Sequence, residues 1–444
     1  MMTRAKQSKI LACAGLLFVP GSAALATDGH FLHGVGAINS AMGGVGVATP
    51  SSILGAFYVN PAGLVTFRGT AIELGFEMFK PDRTLSSSAG PMSGSTRSTS
   101  QFVPVPAFGW SREVVDDRVV VGVAGLGIGG FGVDYPVDPR NPVLAPRPYG
   151  FGQIFSNFSL MKIIPGIGWR ATPNLRLGAA LNVDWASLAV DPMPVAAPAV
   201  DPGPDGTPGT SDDRAYYSSA TDAAGAFGIG AQLGMQYAMG RGVSIGLAYT
   251  SPQLFHRFEY HAVYENPNLP NYNMPRTIRF AMDVPAVYAA GLAWSSGQRL
   301  TLGVDGKYIT YASTRGFSES GFAPDGAVKG FGWKNIWGVA SGVQFRPTAR
   351  AALRAGYNYS GNPIPDELSM FNTAAPAVVQ HHLTLGAGCL FDGFGVDVGY
   401  YYAFRNSITG PFQTMRGPAT GTAITSSMTE SSFLVGVTYN PPRR

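Results

Sequence analysis

The chain has 444 residues, of which 13% are charged, 11% aromatic and 58 glycine, with a formal net charge of +4. The charged share is about half that of an ordinary soluble domain, and the near-neutral balance argues against an electrostatic nucleic-acid binder. Outside the N-terminus no uncharged apolar run reaches about 18 residues, which excludes a spanning helix and leaves a soluble β protein or an outer-membrane barrel.

The first residues read as a secretory signal. Arg4, Lys6 and Lys9 form its charged region, residues 10–19 its apolar region, and Ala24-Leu25-Ala26 an A-x-A cleavage site. Cleavage after Ala26 removes three of the four net positive charges, so the mature chain is near +1. Cys13 leaves with the signal, and Cys389 alone cannot form an internal disulfide. Next comes a small, apolar, glycine-rich stretch from His33 to Leu64, with no clean period of 2 or 3.6. Ser51 or Ser52 is a candidate cap for one short helix over 51–58, and Asn60-Pro61-Ala62 reads as a rigid turn. Such a segment cannot fold alone, because its apolar residues need a wall supplied from elsewhere. Residues 27–68 are therefore expected to form a hatch inside a barrel of residues 69–440, with a short tail at 441–444.

Beyond residue 69, alternation dominates. Leu175, Leu177, Ala179, Leu181, Val183 and Trp185 share one face, opposite Arg176, Gly178, Ala180, Asn182 and Asp184. Residues 227–237 and 394–405 repeat the pattern. Such runs match the roughly 9–11 residues that a tilted strand needs to cross a bilayer, and Trp or Tyr closing the apolar faces fits an interfacial girdle. Fourteen strands are predicted: 70–80, 101–112, 117–128, 153–170, 174–191, 222–239, 242–260, 277–296, 299–313, 331–346, 349–360, 380–391, 394–405 and 430–440. Short turns such as 171–173, 240–241 and 392–393 alternate with long loops such as 81–100, 129–152 and 192–221. Short periplasmic turns opposite long outer loops define an all-β, fourteen-stranded antiparallel transmembrane β-barrel with both ends on the periplasmic side. Pro104, Pro106, Pro165 and Pro285 fall inside strands, where proline cannot donate to the ladder, and predict bulges or interruptions in the wall.

Several blocks resemble a known family. Gly43-Gly44-Val45-Gly46-Val47-Ala48 and Asn60-Pro61-Ala62-Gly63-Leu64 are similar to the N-terminal plug and Asn-Pro-Ala signature of the FadL/TodX family of outer-membrane transporters for long-chain fatty acids and hydrocarbons. Further similar blocks stand at Met282-Asp283-Val284-Pro285, Trp333-Lys334-Asn335-Ile336-Trp337, Leu353-Arg354-Ala355-Gly356-Tyr357-Asn358-Tyr359 and His381-His382-Leu383-Thr384-Leu385-Gly386. The resemblance implies a barrel plugged by an N-terminal hatch, passive transport of a hydrophobic small molecule, and exit at a kink in the third strand. In that strand Gly125, Gly127, Gly129 and Gly130 remove side chains and allow a bulge, and Pro104 and Pro106 weaken the ladder before it, so these glycines are the candidate lateral gate. The expected partners are the substrate, outer-membrane lipid and the barrel assembly machinery, with the protein a monomer. One departure stands at the C-terminus, where Tyr439 is followed by Asn440-Pro441-Pro442-Arg443-Arg444 rather than ending the chain on an aromatic.

Nothing in the sequence points to catalysis or a cofactor. G-x-S-x-G, H-E-x-x-H and phosphate-binding motifs are absent, and His30, His33, His381 and His382 lack metal-site spacing. The segment from Asp201 to Asp212 partly mimics a calcium loop, but Gly203 stands at its third position and a solvated outer loop is expected. Asp184, Asp305, Lys307 and Asp397 lie on polar strand faces, as lumen wall or as ion pairs to a plug. If the substrate is a fatty acid, Lys307 is the candidate to meet its carboxylate. The rival readings are a general diffusion porin and a surface adhesin.

Overall fold

The computed structural model describes residues 28–100, 102–207, 213–297 and 299–440. The proposed signal and the tail 441–444 lie outside the described residues, as does Asp212 of the calcium-like loop. Fourteen strands form one ring. The first seven are β1 (Thr70–Ala89), β2 (Val103–Val115), β3 (Val119–Tyr135), β4 (Ile154–Arg170), β5 (Leu175–Asp191), β6 (Ala220–Gly240) and β7 (Val243–Thr250). The others are β8 (Val287–Ser296), β9 (Leu300–Ile309), β10 (Ile336–Phe345), β11 (Ala351–Ser360), β12 (His381–Phe391), β13 (Phe394–Gly410) and β14 (Thr422–Tyr439). Each pairs antiparallel with the next, and β14 returns to β1 from Ile72↔Tyr439 to Ala89↔Thr422. Closure pairs every strand with both neighbours, as a sheet in lipid requires, although the β2–β3 ladder stops at Leu126. The two faces are inverted relative to a soluble protein: on β1, Leu74, Phe76 and Met78 are exposed, while Glu73 and Glu77 point inward and are buried.

All fourteen predicted strands have a counterpart in the ring, with altered ends. β1 runs to Ala89 rather than 80, and β14 starts at Thr422 rather than 430. Above the bilayer neither face needs to be apolar, so pairing continues after the alternation has faded. The predicted segments 242–260 and 277–296 are each split: β7 stops at Thr250 and β8 begins at Val287. Between them Phe258–Val263 pairs with Pro275–Phe280 in a hairpin outside the ring, with Phe258, Tyr260, Ile278 and Phe280 buried. A period of 2 reports that one face is covered; it does not say whether lipid or protein covers it.

The prolines fall at breaks. Pro104 and Pro106 pair with β1 alone, because the β2–β3 ladder runs only from Ala107↔Leu126 downward. The β4–β5 ladder skips Ile164 and Pro165 without a change of register. Pro285 lies in the gap before β8.

The N-terminal residues occupy the lumen as α1 (Gly36–Ala41), α2 (Ile53–Val59) and a 3-10 turn (Pro61–Thr66). Ser52 caps α2 by accepting the Gly55 N–H at 3.0 Å, and Leu54, Ala56, Phe57 and Leu64 are fully buried. The wall makes room by withholding side chains. A Cβ on Gly75, Gly109, Gly122, Gly166, Gly178, Gly234 or Gly246 would press on the N-terminal segment. So would one on Gly291, Gly303, Gly342, Gly356, Gly386, Gly399 or Gly436. These are one glycine from each of β1 to β14, a belt that brings the wall backbone into contact with the segment it encloses.

Candidate functional site: the filled lumen and its seam

Buried side chains of the wall pin the filling segment through its backbone. Asp305 on β9 is fully buried, and its Oδ2 accepts the N–H groups of Gly46 at 2.7 Å and Val47 at 2.9 Å. Glu73 on β1 accepts the Leu54 N–H at 3.1 Å, and Thr384 on β12 donates to Ala41 O at 2.9 Å. The segment also reaches outward. Asn60 Nδ2 donates to Val47 O at 2.7 Å and to Met235 O and Leu247 O, both at 3.2 Å, tying the segment to β6 and β7. Asn60 Oδ1 accepts the Ala62 N–H at 3.0 Å, and Pro61 and Ala62 lie against Gly178. An asparagine followed by proline suits this place: the side chain satisfies wall carbonyls while the preset proline φ starts the turn.

Residues 28–32 cross the lumen to the third strand. Lys307 Nζ lies 3.0 Å from Asp28 Oδ2 and 3.3 Å from His33 O, Tyr311 donates to Asp28 O at 2.7 Å, and Tyr58 donates to Leu32 O at 2.5 Å. Phe31 then bridges Gly129, with Leu32 N donating to Ile128 O and Gly130 N donating to His30 O, both at 2.9 Å. These bonds fill the edge that β3 exposes once β2 has left it above Leu126. At this level β3 also shifts register against β4, between Gly127 and Gly129. The four glycines of the third strand therefore stand differently. A side chain on Gly129 would run into the His30 carbonyl, one on Gly127 would meet Val105 Cγ1 at 2.7 Å, Gly125 faces open space, and Gly130 supplies the N–H to His30. His30 packs its ring 4.4 Å from Phe131 and 4.5 Å from Trp333, and burial pushes its pKa down from 6.5 to about 3.

Above the filling segment lies a cavity whose free space, about 650 Å³, includes open solvent at its mouth. Phe31, Tyr58, Ile128, Val284, Val287 and Ile309 give it an apolar lining, and Asp28, Lys162, Gln232, Gln253 and Lys307 supply its polar groups. Lys162 donates to Gln253 at 3.0 Å and lies 3.7 Å from Asp184. A smaller cavity of about 270 Å³ adjoins it, sharing Phe31 and Val284 and adding Phe158, Phe255, Met282 and Phe317. Ile128 places the larger cavity at the level where β2 and β3 part.

Of the charged positions singled out from sequence, Lys307 reaches the cavity, Asp184 backs Lys162, Asp305 holds the filling segment, and Asp397 pairs with Arg354 at 2.7 Å near the short-turn end of the barrel. The reading by sequence missed Lys162, Asp28, Tyr58 and Tyr311. Lys162 carries a usable signal, being the one charge in residues 154–169. Asp28 does not, because its role depends on a lysine 279 residues away. His381 is exposed and His382 buried, on opposite faces of β12. Among the described residues no cluster of three His, Cys, Asp or Glu has a geometry that holds a metal. Asp201 accepts from Asn266 and Asn268 in an outer loop.

A closed fourteen-stranded barrel with an apolar exterior and a lumen filled by its own N-terminus defines a class: outer-membrane transport barrels. The chain belongs to the outer membrane protein transport protein family (OMPP1/FadL/TodX), whose model matches residues 22–441. This is a family of transport channels for hydrophobic small molecules, not of enzymes. Solved structures agree on the fold. The toluene transporter TodX of Pseudomonas putida superposes with a TM-score of 0.69 at 19% identity, over 93% of this chain and 100% of TodX. A Pseudomonas aeruginosa FadL homologue gives 0.70 at 14% identity, over 93% and 99%. The Ralstonia pickettii toluene transporter TbuX gives 0.66 at 17%, also over 93% and 99%. No protein of curated function matches the sequence.

Proposed function

We propose that residues 28–68 act as a hatch, that a hydrophobic molecule such as a hydrocarbon or a long-chain fatty acid binds in the cavity above it, and that the molecule leaves sideways into the bilayer between β2 and β3. The observation that carries this reading is the contact between the cavity and the seam. Ile128 lines the cavity, and the chain at His30–Leu32 takes the place of a β2 partner on the edge beside it. Withdrawing those few residues joins the cavity to lipid, and the proline-bearing end of β2 has no ladder to break. Release into lipid is favoured over release downward. A drop into the periplasm returns apolar surface to water at about 25 cal/mol per Å² and requires the whole hatch to leave its glycine belt. Two of the similar structures are toluene transporters and one is a FadL homologue, which supports a hydrophobic cargo.

Two measurements together test this reading. Cells lacking the protein should lose uptake of a labelled hydrocarbon or fatty acid, and the purified barrel in a planar bilayer should pass almost no ion current. Steady conductance of a porin type, with uptake unaffected by deletion, would reject it.

A further inference from the structure

The larger cavity contains two buried lysines, yet it offers no uncommitted positive charge. Lys307 is paired with Asp28 at 3.0 Å and also bonds His33 O, and Lys162 is held by Gln253 at 3.0 Å with Asp184 at 3.7 Å. Asp28 is 3% exposed and Asp184 0%. Each of the two cations faces a carboxylate, and Asp305, two residues from Lys307 on β9, adds a further buried acid behind it, so no net positive charge is left over. The two paired acids differ in where they stand. Asp184 belongs to the wall, on β5. Asp28 belongs to the N-terminal segment and is delivered to Lys307 by the chain that also seals the seam at Phe31. It occupies the position that the carboxylate of an anionic amphiphile would need.

We propose that Asp28 is a built-in carboxylate that makes this cavity select neutral hydrophobic molecules over carboxylates. The inference rests on the reading that the cavity is the transport site. An entering carboxylate has two options, both unfavourable. It can lie in the apolar part unpaired, which costs the full desolvation of a charge. Or it can displace Asp28 from Lys307, leaving the Asp28 carboxylate to find another partner in a buried site. A neutral molecule meets Phe31, Tyr58, Ile128, Val284, Val287 and Ile309 and disturbs neither ion pair. Tyr311 and Tyr58 hold the backbone at Asp28 and Leu32, which keeps the carboxylate in place at a fixed reach from β9.

The test uses the full mature protein in lipid nanodiscs, with binding to protein-free discs subtracted, at about pH 8 so that a fatty acid is ionised. The probes are dodecanoate and methyl dodecanoate, which share one chain and differ in charge. Wild type should bind the ester at least about tenfold more tightly than the acid. Asp28→Asn, which preserves size and frees Lys307, should cut that ratio by about tenfold, and adding Lys307→Met should restore it. Correct folding of each variant is checked by heat-dependent migration of the barrel on a gel. Equal binding of both probes by wild type overturns the selectivity proposal alone and leaves the transport site standing. So does a ratio unmoved by Asp28→Asn in a folded barrel. If wild type binds neither probe, the cavity is not the site, and the underlying reading falls together with this one.

Discussion

Asp305 is the point at which the proposed hatch depends most on one side chain. Its carboxylate accepts two N–H groups, from Gly46 at 2.7 Å and Val47 at 2.9 Å, in a site closed to solvent. Asp305→Ala leaves both donors buried without an acceptor. A hydrogen bond to a charged group contributes about 1.5–3 kcal/mol, so the loss is roughly 3–6 kcal/mol. Water entering the vacated space recovers part of this, which puts the effect near the lower figure. At 1.4 kcal/mol per decade, the population with residues 44–49 lifted from the wall should rise by about a hundredfold. Single-channel recording reads this as openings that are rare in wild type and frequent in the variant. Hydrogen exchange should speed up by a similar factor at Gly46 and Val47 while β9 stays protected. Unchanged exchange at those amides, with an unchanged opening frequency in a folded barrel, would refute the claim that Asp305 holds the hatch.

Other expectations follow from the same contacts. Gly178→Val places a side chain where Pro61 and Ala62 now lie, so the variant should assemble as a barrel but conduct ions, as should deletion of residues 34–64. Gly129→Leu collides with the His30 carbonyl and should dislodge the 28–32 strand from β3, raising protease access to the N-terminus without unfolding the wall. His30 is neutral when packed, with its pKa lowered to about 3, and takes up a proton near 6.5 once released. The released state therefore binds more protons between those values, and seating of the N-terminus should weaken as pH falls from about 6.5 towards 3; exchange rates at His30 and Phe31 across that range check it. A tag at Gly206 should be labelled on intact cells and one between Asp392 and Gly393 should not.

The wall was legible in the sequence because its physics is local. Leu175 to Trp185 declares by itself which face meets lipid, and two-residue turns opposite long loops declare the ends. The pattern erred where its cause was not local. The hairpin pairing Phe258–Val263 with Pro275–Phe280 alternates just as a lipid-facing strand does, although protein covers its apolar face. The prolines marked real breaks, but only pairing partners distinguish a seam at Pro104 and Pro106 from a skipped pair of rungs at Pro165. The glycines were visible as a count. That one from every strand stands against the N-terminal segment depends on register, which no single strand carries. The cavity was the least legible part. Lys307 attracted attention as a charge on a strand, yet its chemistry is set by Asp28, contributed by a segment with no period to read.

The sideways route is the central claim, and a reversible staple across the seam tests it most directly. A Cβ built on Gly127 lies 3.9 Å from Val105 Cβ, inside the roughly 3.5–4.5 Å that a disulfide spans. Val105→Cys with Gly127→Cys, in a Cys389→Ser background that removes the free thiol, ties β2 to β3 at the level where their ladder ends. Uptake of a labelled hydrocarbon by cells carrying this variant should be lost under oxidising conditions and return on reduction, with surface display unchanged. Full uptake through the oxidised, verified staple would contradict lateral release between these two strands.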